Sequence, residues 1–413
     1  MPVLRIAIFL SFFVLLFFSQ RFWFVNAWRR IGTITLPWLR GGLQVAWSLA
    51  LISFVLAFFD PLLGHVLSKV IGGKWIIAAA RIWTVASIFA FLAMQLIHSV
   101  GWIYGLIASR SSEQPIDESR RNFFRYAGYT IGSLPFLAGA YGFASGRFNY
   151  RVERVEVPIA NLPKELDGFK IAQLSDIHIG DFMPREEVRR AVNIANELNP
   201  DLAVVTGDFI SNEFDPLEDC ISELSLLQAP LGTWGCNGNH EIYADAEDAA
   251  QRFFQEHGMK LLRQENVQLD WRGEKLNLIG VDYQRDHMTR GPAGPMLQGI
   301  ETLISREHPN ILLSHNPNSF RRAAEMGIEL SLAGHTHGGQ VKVEIVDHSL
   351  TPARLITDFV AGLYHLPMGQ NDPGRNGEAK KAALYVNRGL GTFGVPVRIG
   401  VQPEITLLTL RPA

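Results

Sequence analysis

Cysteine is nearly missing from this 413-residue sequence: there are two, Cys220 and Cys236. They form no C-x-x-C pair and no disulfide framework, which excludes a small stapled scaffold, and they read as small buried residues. An excess of one charge is missing too. The formal net charge is -2, so no bulk field favours nucleic acid, and no nucleic-acid binding is expected. Internal repeats and low-complexity tracts are absent. Past Ser145 there are no long uncharged apolar runs, although 47% of all residues are hydrophobic; the long runs crowd the first third of the chain.

Those runs lack charge in their turn. Residues 41–59 and 127–145 contain none, and 82–108 contains only His98. The run over 6–20 continues past Arg21 into Phe22-Trp23-Phe24-Val25. A bilayer-spanning helix needs about 20 mostly apolar residues. We therefore expect a transmembrane region over 1–150, with four helices near 6–25, 41–59, 82–108 and 127–145, and the lipid bilayer as a partner. The scarcity of ionisable groups within the runs speaks against a transporter or sensor whose membrane part couples ions. Arg21, Arg29, Arg30 and Arg40 in the first loop, and Arg110, Arg120, Arg121 and Arg125 in the third, place those loops in the cytoplasm. The chain beyond the fourth helix then emerges on the extracytoplasmic face of a bacterial-type inner membrane. Arg147, Arg151 and Arg154 just past that helix pull the other way. Ser119-Arg120-Arg121-Asn122-Phe123-Phe124-Arg125 resembles a twin-arginine export signal, which agrees with the outward placement.

From residue 151 the pattern becomes that of an α/β domain reaching to 413. Short apolar strands are predicted over 170–175, 202–206 and 232–236, with helices over 185–198, 214–227 and 246–257 between and after them. Further strands follow over 267–271, 276–280, 311–314, 330–333, 341–346, 383–387 and 405–410. The early alternation predicts parallel sheet covered by helices, and the later hairpin-rich stretch a second sheet packed on the first. Residues 369–378, rich in Gly, Asn, Asp and Pro, read as an exposed loop.

Metal-binding residue types stand at the ends of these strands. They are Asp176 and His178, then Gly207-Asp208, Gly238-Asn239-His240-Glu241, His315, and Gly334-His335-Thr336-His337 followed by Gly338-Gly339-Gln340. Open α/β sheets place their sites at strand C-termini. Oxygen and nitrogen donors without thiolate suit Mn, Fe or Zn. Asp208 offers a carboxylate that can bridge two ions, and the glycines let backbone approach ions and phosphate. Two metals about 3.5–4 Å apart stabilise both the attacking and leaving oxygens of a phosphoryl displacement and activate a bridging water. His240 would then donate a hydrogen bond or proton to the developing charge.

In this order the five blocks resemble the calcineurin-like metallophosphoesterase superfamily over residues 170–410. The resemblance implies two packed mixed β-sheets flanked by helices and two divalent metal ions. It implies Asp176, His178, Asp208 and His337 at the first metal, and Asp208, Asn239, His315 and His335 at the second. It also implies that Asn239 and His240 contact substrate, with His240 catalytic. Tyr385-Val386-Asn387-Arg388-Gly389-Leu390-Gly391-Thr392, Pro396-Val397-Arg398 and Pro403-Glu404-Ile405 are similar to the membrane-associated phosphodiesterase branch, which includes UDP-2,3-diacylglucosamine hydrolase-like and twin-arginine-signal envelope enzymes. Arg388 and Arg398 are candidates to contact a second phosphate or a head group. The expectation is a membrane-anchored phosphoesterase acting on mono- or diesters or pyrophosphates, lipid-linked or of the cell envelope. The alternatives are a nucleotide or general phosphodiesterase with a passive anchor, and a membrane transporter or sensor with a regulatory metal domain.

Overall fold

The computed structural model describes residues 2–60, 66–67, 70, 72–109, 118–213, 215–284, 296–345, 348–355, 357–369 and 380–413. The 369–378 segment, past Gly369, lies outside them, as do Arg110 and the side chains of Arg120 and Arg121. The chain divides into two compact units: Met1–Ala144 with Gly394–Pro396, and Ser145–Phe393 with Val397–Ala413.

The first unit is built from helices α1 (Pro2–Gly32), α2 (Pro37–Phe58), α3 (Gly73–Ser109) and α4 (Glu118–Ala144). Among the described residues, three segments are long and apolar enough to cross a membrane: Leu10–Gly32, Pro37–Ala57 and Gly73–Leu106. Helix α4 begins among charged residues, contains Pro135, and is not one of the three. Trp83 of α3 packs its ring against Trp23 of α1, Trp47 and Phe54 of α2, and Phe136 of α4. Beside it Gln20 donates to Ser87 Oγ (2.8 Å) and accepts from Trp83 Nε1 (2.8 Å). Apolar helices gain little from burying surface against one another in lipid, so aromatic packing and such polar ties hold them.

The second unit starts with β1 (Arg151–Ile159) and β2 (Lys170–Leu174), then runs α5 (Arg185–Glu197), β3 (Leu202–Thr206), α6 (Leu217–Leu224) and β4 (Thr233–Cys236). It continues through α7 (Asn239–Tyr243), α8 (Glu247–Glu256), β5 (Lys260–Leu261), β6 (Glu265–Trp271), β7 (Glu274–Gly280) and β8 (Asn310–Leu313). Helix α9 (Phe320–Glu325) and strands β9 (Leu330–Ala333), β10 (Val343–Ile345), β11 (His348–Leu350), β12 (Gly362–Pro367), β13 (Lys381–Val386) and β14 (Glu404–Pro412) complete it. One six-stranded sheet has the order β1-β14-β2-β3-β4-β5 and the other β12-β13-β9-β8-β7-β6, with β10-β11 a separate hairpin.

Both sheets are mixed. Strands β2 to β5 are parallel, whereas β14 enters antiparallel to β2 and parallel to β1. In the other sheet β7, β8, β9 and β13 are parallel, edged by antiparallel β6 and β12. Alternate residues of a strand face opposite sides. Leu202 and Val204 accordingly join Leu278, Ile311 and Leu332 between the sheets, while Ala203 and Val205 pack under α5, α6 and α8. Burial on both faces is why these strands read as continuous apolar runs. The antiparallel place of β14, and the existence of β1 and β12, differ from the sequence expectation. β1 alternates exposed and half-buried positions along most of its length, an edge-strand pattern without a long apolar run.

Candidate metal centre

Five parallel strands end at one place. Asp176 and His178 follow β2, Asp208 follows β3, Asn239 and His240 follow β4, His315 follows β8, and His335 and His337 follow β9. The loops after β2 and β3 run side by side, with Asp176 N–H donating to Gly207 O (3.0 Å) and His178 N–H to Asp208 O (3.0 Å).

Backbone conformation turns these side chains inward. Twelve described non-glycine residues have positive φ, and five of them are Asp176 (+49°), His178 (+49°), Asp208 (+55°), His335 (+74°) and His337 (+51°). Asp and His tolerate the left-handed region better than most residues, but each such residue still costs about 1–2 kcal/mol. Strain of this kind collects where a site needs it. Two glycines permit the close approach. A Cβ on Gly334 would overlap Ser175 Oγ and Asp176 Oδ2, and one on Gly238 would overlap Asp208 Oδ1.

The result is two clusters of donor atoms. Asp176, His178 and His337 present ligand atoms all within 4.8 Å of one another, and so do Asp208, His315 and His335. Asp208 lies between them: its Oδ2 is 3.1 Å from His315 Nε2 and 3.6 Å from His178 Nε2. Asn239 joins the second cluster, its Oδ1 being 2.7 Å from His335 Nδ1. All seven are buried except His335, which is half-buried.

Carbonyl oxygens only accept, so they fix the histidine tautomers. His178 Nδ1 donates to Ile210 O (3.1 Å), His315 Nδ1 to Thr206 O (2.5 Å), and His240 Nδ1 to Ser211 O (2.7 Å). That leaves Nε2 of each facing the centre. Burial lowers His178 to about 3 and His335 to about 4, and also lowers His337, so these imidazoles keep free lone pairs. Burial works against a charge on His315 as well, but Asp208 and Asp176 outweigh it and hold it up at about 10. Burial likewise raises Asp176 to about 6, whereas for Asp208 burial is overcome by His315, His178 and His240, which hold it well below the usual carboxylate range.

This donor set fits divalent ions. His315 Nε2 is buried with no hydrogen-bond partner, although two carboxylates lie near it. Two buried carboxylates stand among three imidazoles that burial keeps neutral, His178, His335 and His337, and a proton on His315 offsets only one of the two charges, so the centre calls for a further cation, and N/O donors suit Mn, Fe or Zn.

The two arginines are not members of the donor clusters. Arg388 Nη1 pairs with Glu153 (2.7 Å) and Glu404 (2.8 Å), and its side chain lines a cavity of about 380 Å3 with Arg151, Lys342 and Arg354. Arg398 is fully buried behind His337, with Nη2 3.5 Å from His337 Nδ1. It donates to the carbonyls of Arg388, Gly389 and Gly391. The clamped loop in turn donates from Leu390 N–H to Ser175 O (3.0 Å) and from Gly391 N–H to Asp176 O (2.8 Å). Arg398 thus props the Asp176 turn from behind.

Sequence reasoning assigned no role to Glu241. It is wholly buried and accepts from the N–H groups of Asp208 (2.9 Å), Phe209 (2.8 Å), Ile210 (3.3 Å) and Gly238 (2.8 Å). Burial first, and the Asp208 carboxylate after it, push its pKa up to about 7. Its place in the Gly-Asn-His-Glu block was the available signal. Nothing in the sequence marked Phe393, whose ring centroid lies 4.8 Å from that of His240.

Comparison with known proteins agrees with the geometry. The calcineurin-like phosphoesterase family matches residues 169–339. A zebrafish (Danio rerio) protein described as a transmembrane protein with metallophosphoesterase domain is 30% identical over 323 residues, 75% of this chain and 67% of that one. Its bovine (Bos taurus) namesake is 32% identical over 272 residues, 63% of this chain and 57% of that one. The uncharacterized metallophosphoesterase YkuE of Bacillus subtilis is 30% identical over 302 residues, 71% of this chain and 98% of that one. The chain therefore spans two thirds or less of its vertebrate relatives but nearly all of the bacterial one.

Proposed function

This chain belongs to the calcineurin-like metallophosphoesterases, a family of metal-dependent phosphoesterases, and from that premise we propose a membrane-anchored hydrolase of phosphate mono- or diesters or pyrophosphates on lipid-linked or envelope substrates. The observation that carries it is Asp208, placed between two donor clusters at the convergence of both sheets. Asp176, His178, Asp208 and His337 would hold one divalent ion, and Asp208, Asn239, His315 and His335 the other. Two such ions supply Lewis-acid polarisation of the phosphoryl oxygens and an activated water.

The residues do the rest. Asn239 and His240 line the place of the phosphoryl group. His240 presents a ring nitrogen within 4.8 Å of ligand atoms of His178 and Asp208. With Nδ1–H committed to Ser211 O, its imidazolium form has Nε2–H left to donate to the leaving oxygen. Residues 1–150 would form the anchor and 151–413 the catalytic domain. Tethering keeps the site near substrates that cannot leave the bilayer. Arg388 lines a cavity with Arg151, Lys342 and Arg354, and would meet a second anionic group of the substrate there only in exchange for its present partners Glu153 and Glu404.

The test is hydrolysis by the full-length protein, with Mn, Fe or Zn supplied, of a dispersed phospholipid panel, a nucleotide panel and a chromogenic diester. Hydrolysis is expected to vanish with chelator. His240→Ala should lower kcat about 10²–10⁴-fold while the purified protein still carries metal. Equal kcat in the variant would remove His240 from the reaction, and lack of any metal-dependent turnover would sink the enzyme reading. The domain would face the extracytoplasmic side by the arginine distribution of the loops. A reporter fused after Ala413 should then be active only there, and cytoplasmic activity would reverse the orientation.

A further inference from the structure

Large apolar side chains are scarce on the surface of the second unit. Among its residues whose side chains are described, only Leu226, Tyr243 and Phe393 are large, apolar and exposed. A single exposed apolar residue is ordinary. Here two of the three, Tyr243 at 55% exposure and Phe393 at 54%, flank the same imidazole, that of His240. The ring centroids lie 5.9 Å and 4.8 Å from it, both edge-on, and Phe393 also lies 6.1 Å from His178.

Neither ring is there by slack. Tyr243 ends α7, three residues after His240, so helical geometry puts both on one face. Phe393 is pinned through its backbone: its N–H donates to Gln340 Oε1 (2.8 Å) and its carbonyl accepts from Gln340 Nε2 (3.1 Å). Gln340 directly follows the His335–Gly339 turn, and its own N–H is bonded to His337 O (2.9 Å). Arg398 clamps the same loop at Arg388, Gly389 and Gly391. The turn that carries two proposed ligands therefore also sets the position of an exposed phenyl ring.

We infer that Phe393 and Tyr243 form an apolar rim at the mouth of the metal centre and select phosphoesters whose esterified group is a hydrocarbon close to the scissile phosphoryl. The inference rests on the phosphoesterase reading and specifies its substrate class. A group joined to the phosphoryl through one oxygen beside His240 comes within van der Waals reach of both rings, and aromatic faces hold alkyl or aryl groups by burying them. A glycerol in that place would bury less apolar surface against the rings and gain less from them.

Alkylphosphonic acids test this without turnover, because the C–P bond is not an ester. Affinities of methyl-, hexyl- and benzylphosphonic acid would be measured by calorimetry on the full-length protein in lipid nanodiscs with Mn(II). The wild type should bind the hexyl or benzyl acid about ten-fold more tightly than the methyl acid, equivalent to about 1.4 kcal/mol. The larger of those two preferences tells a chain from a ring. Phe393→Ala with Tyr243→Ala should bring the ratio close to one, Phe393→Leu should keep part of it, and Leu226→Ala should keep all of it. The ratio is the readout, so damage to fold or metal content, which weakens both ligands, does not imitate the effect. Metal-dependent methylphosphonate binding without a preference, or a preference that survives the double substitution, overturns the rim alone. Absence of any metal-dependent phosphonate binding overturns the two-metal reading and the rim with it.

Discussion

Asp208→Asn is expected to lower kcat/KM by about 10³-fold or more and to reduce bound metal from two ions per chain toward one. The substitution keeps size and shape, and Asn tolerates the left-handed conformation that Asp208 adopts at φ +55°, so the backbone stays in place when the amide oxygen keeps the bond from His240 N–H to Oδ1 (2.9 Å) and Nδ2 takes the place of Oδ2. What it removes is the negative charge between the two clusters. Asp208 Oδ2 is the carboxylate oxygen nearest His315 Nε2, and His178 Nε2 is also close. A neutral amide oxygen cannot bridge two dications, and an amide nitrogen in its place would repel them. Losing several kcal/mol of charge stabilisation corresponds to roughly three decades in rate. Elemental analysis of purified full-length protein reads the stoichiometry, and titration of apo-protein with Mn(II) reads the affinity. Two ions per chain and undiminished turnover in the variant would mean that Asp208 is not shared.

The strand-end blocks were legible because each puts a polar donor at the end of a short apolar run, in three of the five beside a glycine, a local pattern that needs no knowledge of distant contacts. Asp176, Asp208 and His335 could be read that way, and the structure brings all seven proposed ligands to one place. Long-range placement was less legible. β14 looked like one more late strand, and only its pairing between β1 and β2 shows that the C-terminus closes the first sheet. Arg388 and Arg398 carry the right charge for phosphate, but charge does not say where a side chain points. Arg388 turns to Glu153 and Glu404, and Arg398 to three carbonyls. Phe393 is invisible in sequence for the same reason. Its role depends on Gln340, 53 residues away.

Glu241→Gln should melt well below the wild type, although it changes a single atom type. Four backbone N–H groups converge on the Glu241 carboxylate, two on each oxygen: Asp208 and Gly238 on Oε2, and Phe209 and Ile210 on Oε1. A carboxylate accepts on both arms, whereas an amide accepts on one and donates on the other. Whichever way the glutamine is turned, its NH₂ faces two N–H donors, which are left unsatisfied in a fully buried place. At about 1–3 kcal/mol for each stranded donor the loss is about 2–6 kcal/mol. For a unit of this size that lowers Tm by roughly 5–20 °C. The same four bonds hold the backbone on both sides of Asp208 and the Gly238 approach beneath it, so metal affinity should fall together with stability. Glu241→Asp keeps the charge but falls one methylene short of the same donors, so it should not rescue either property. Thermal melts of full-length protein with and without Mn(II) separate the two effects: the glutamine variant should lose both intrinsic stability and most of the metal-induced rise in Tm. A glutamine variant that melts with the wild type and keeps that rise would show that a single accepting oxygen is enough to hold the Asp208 turn.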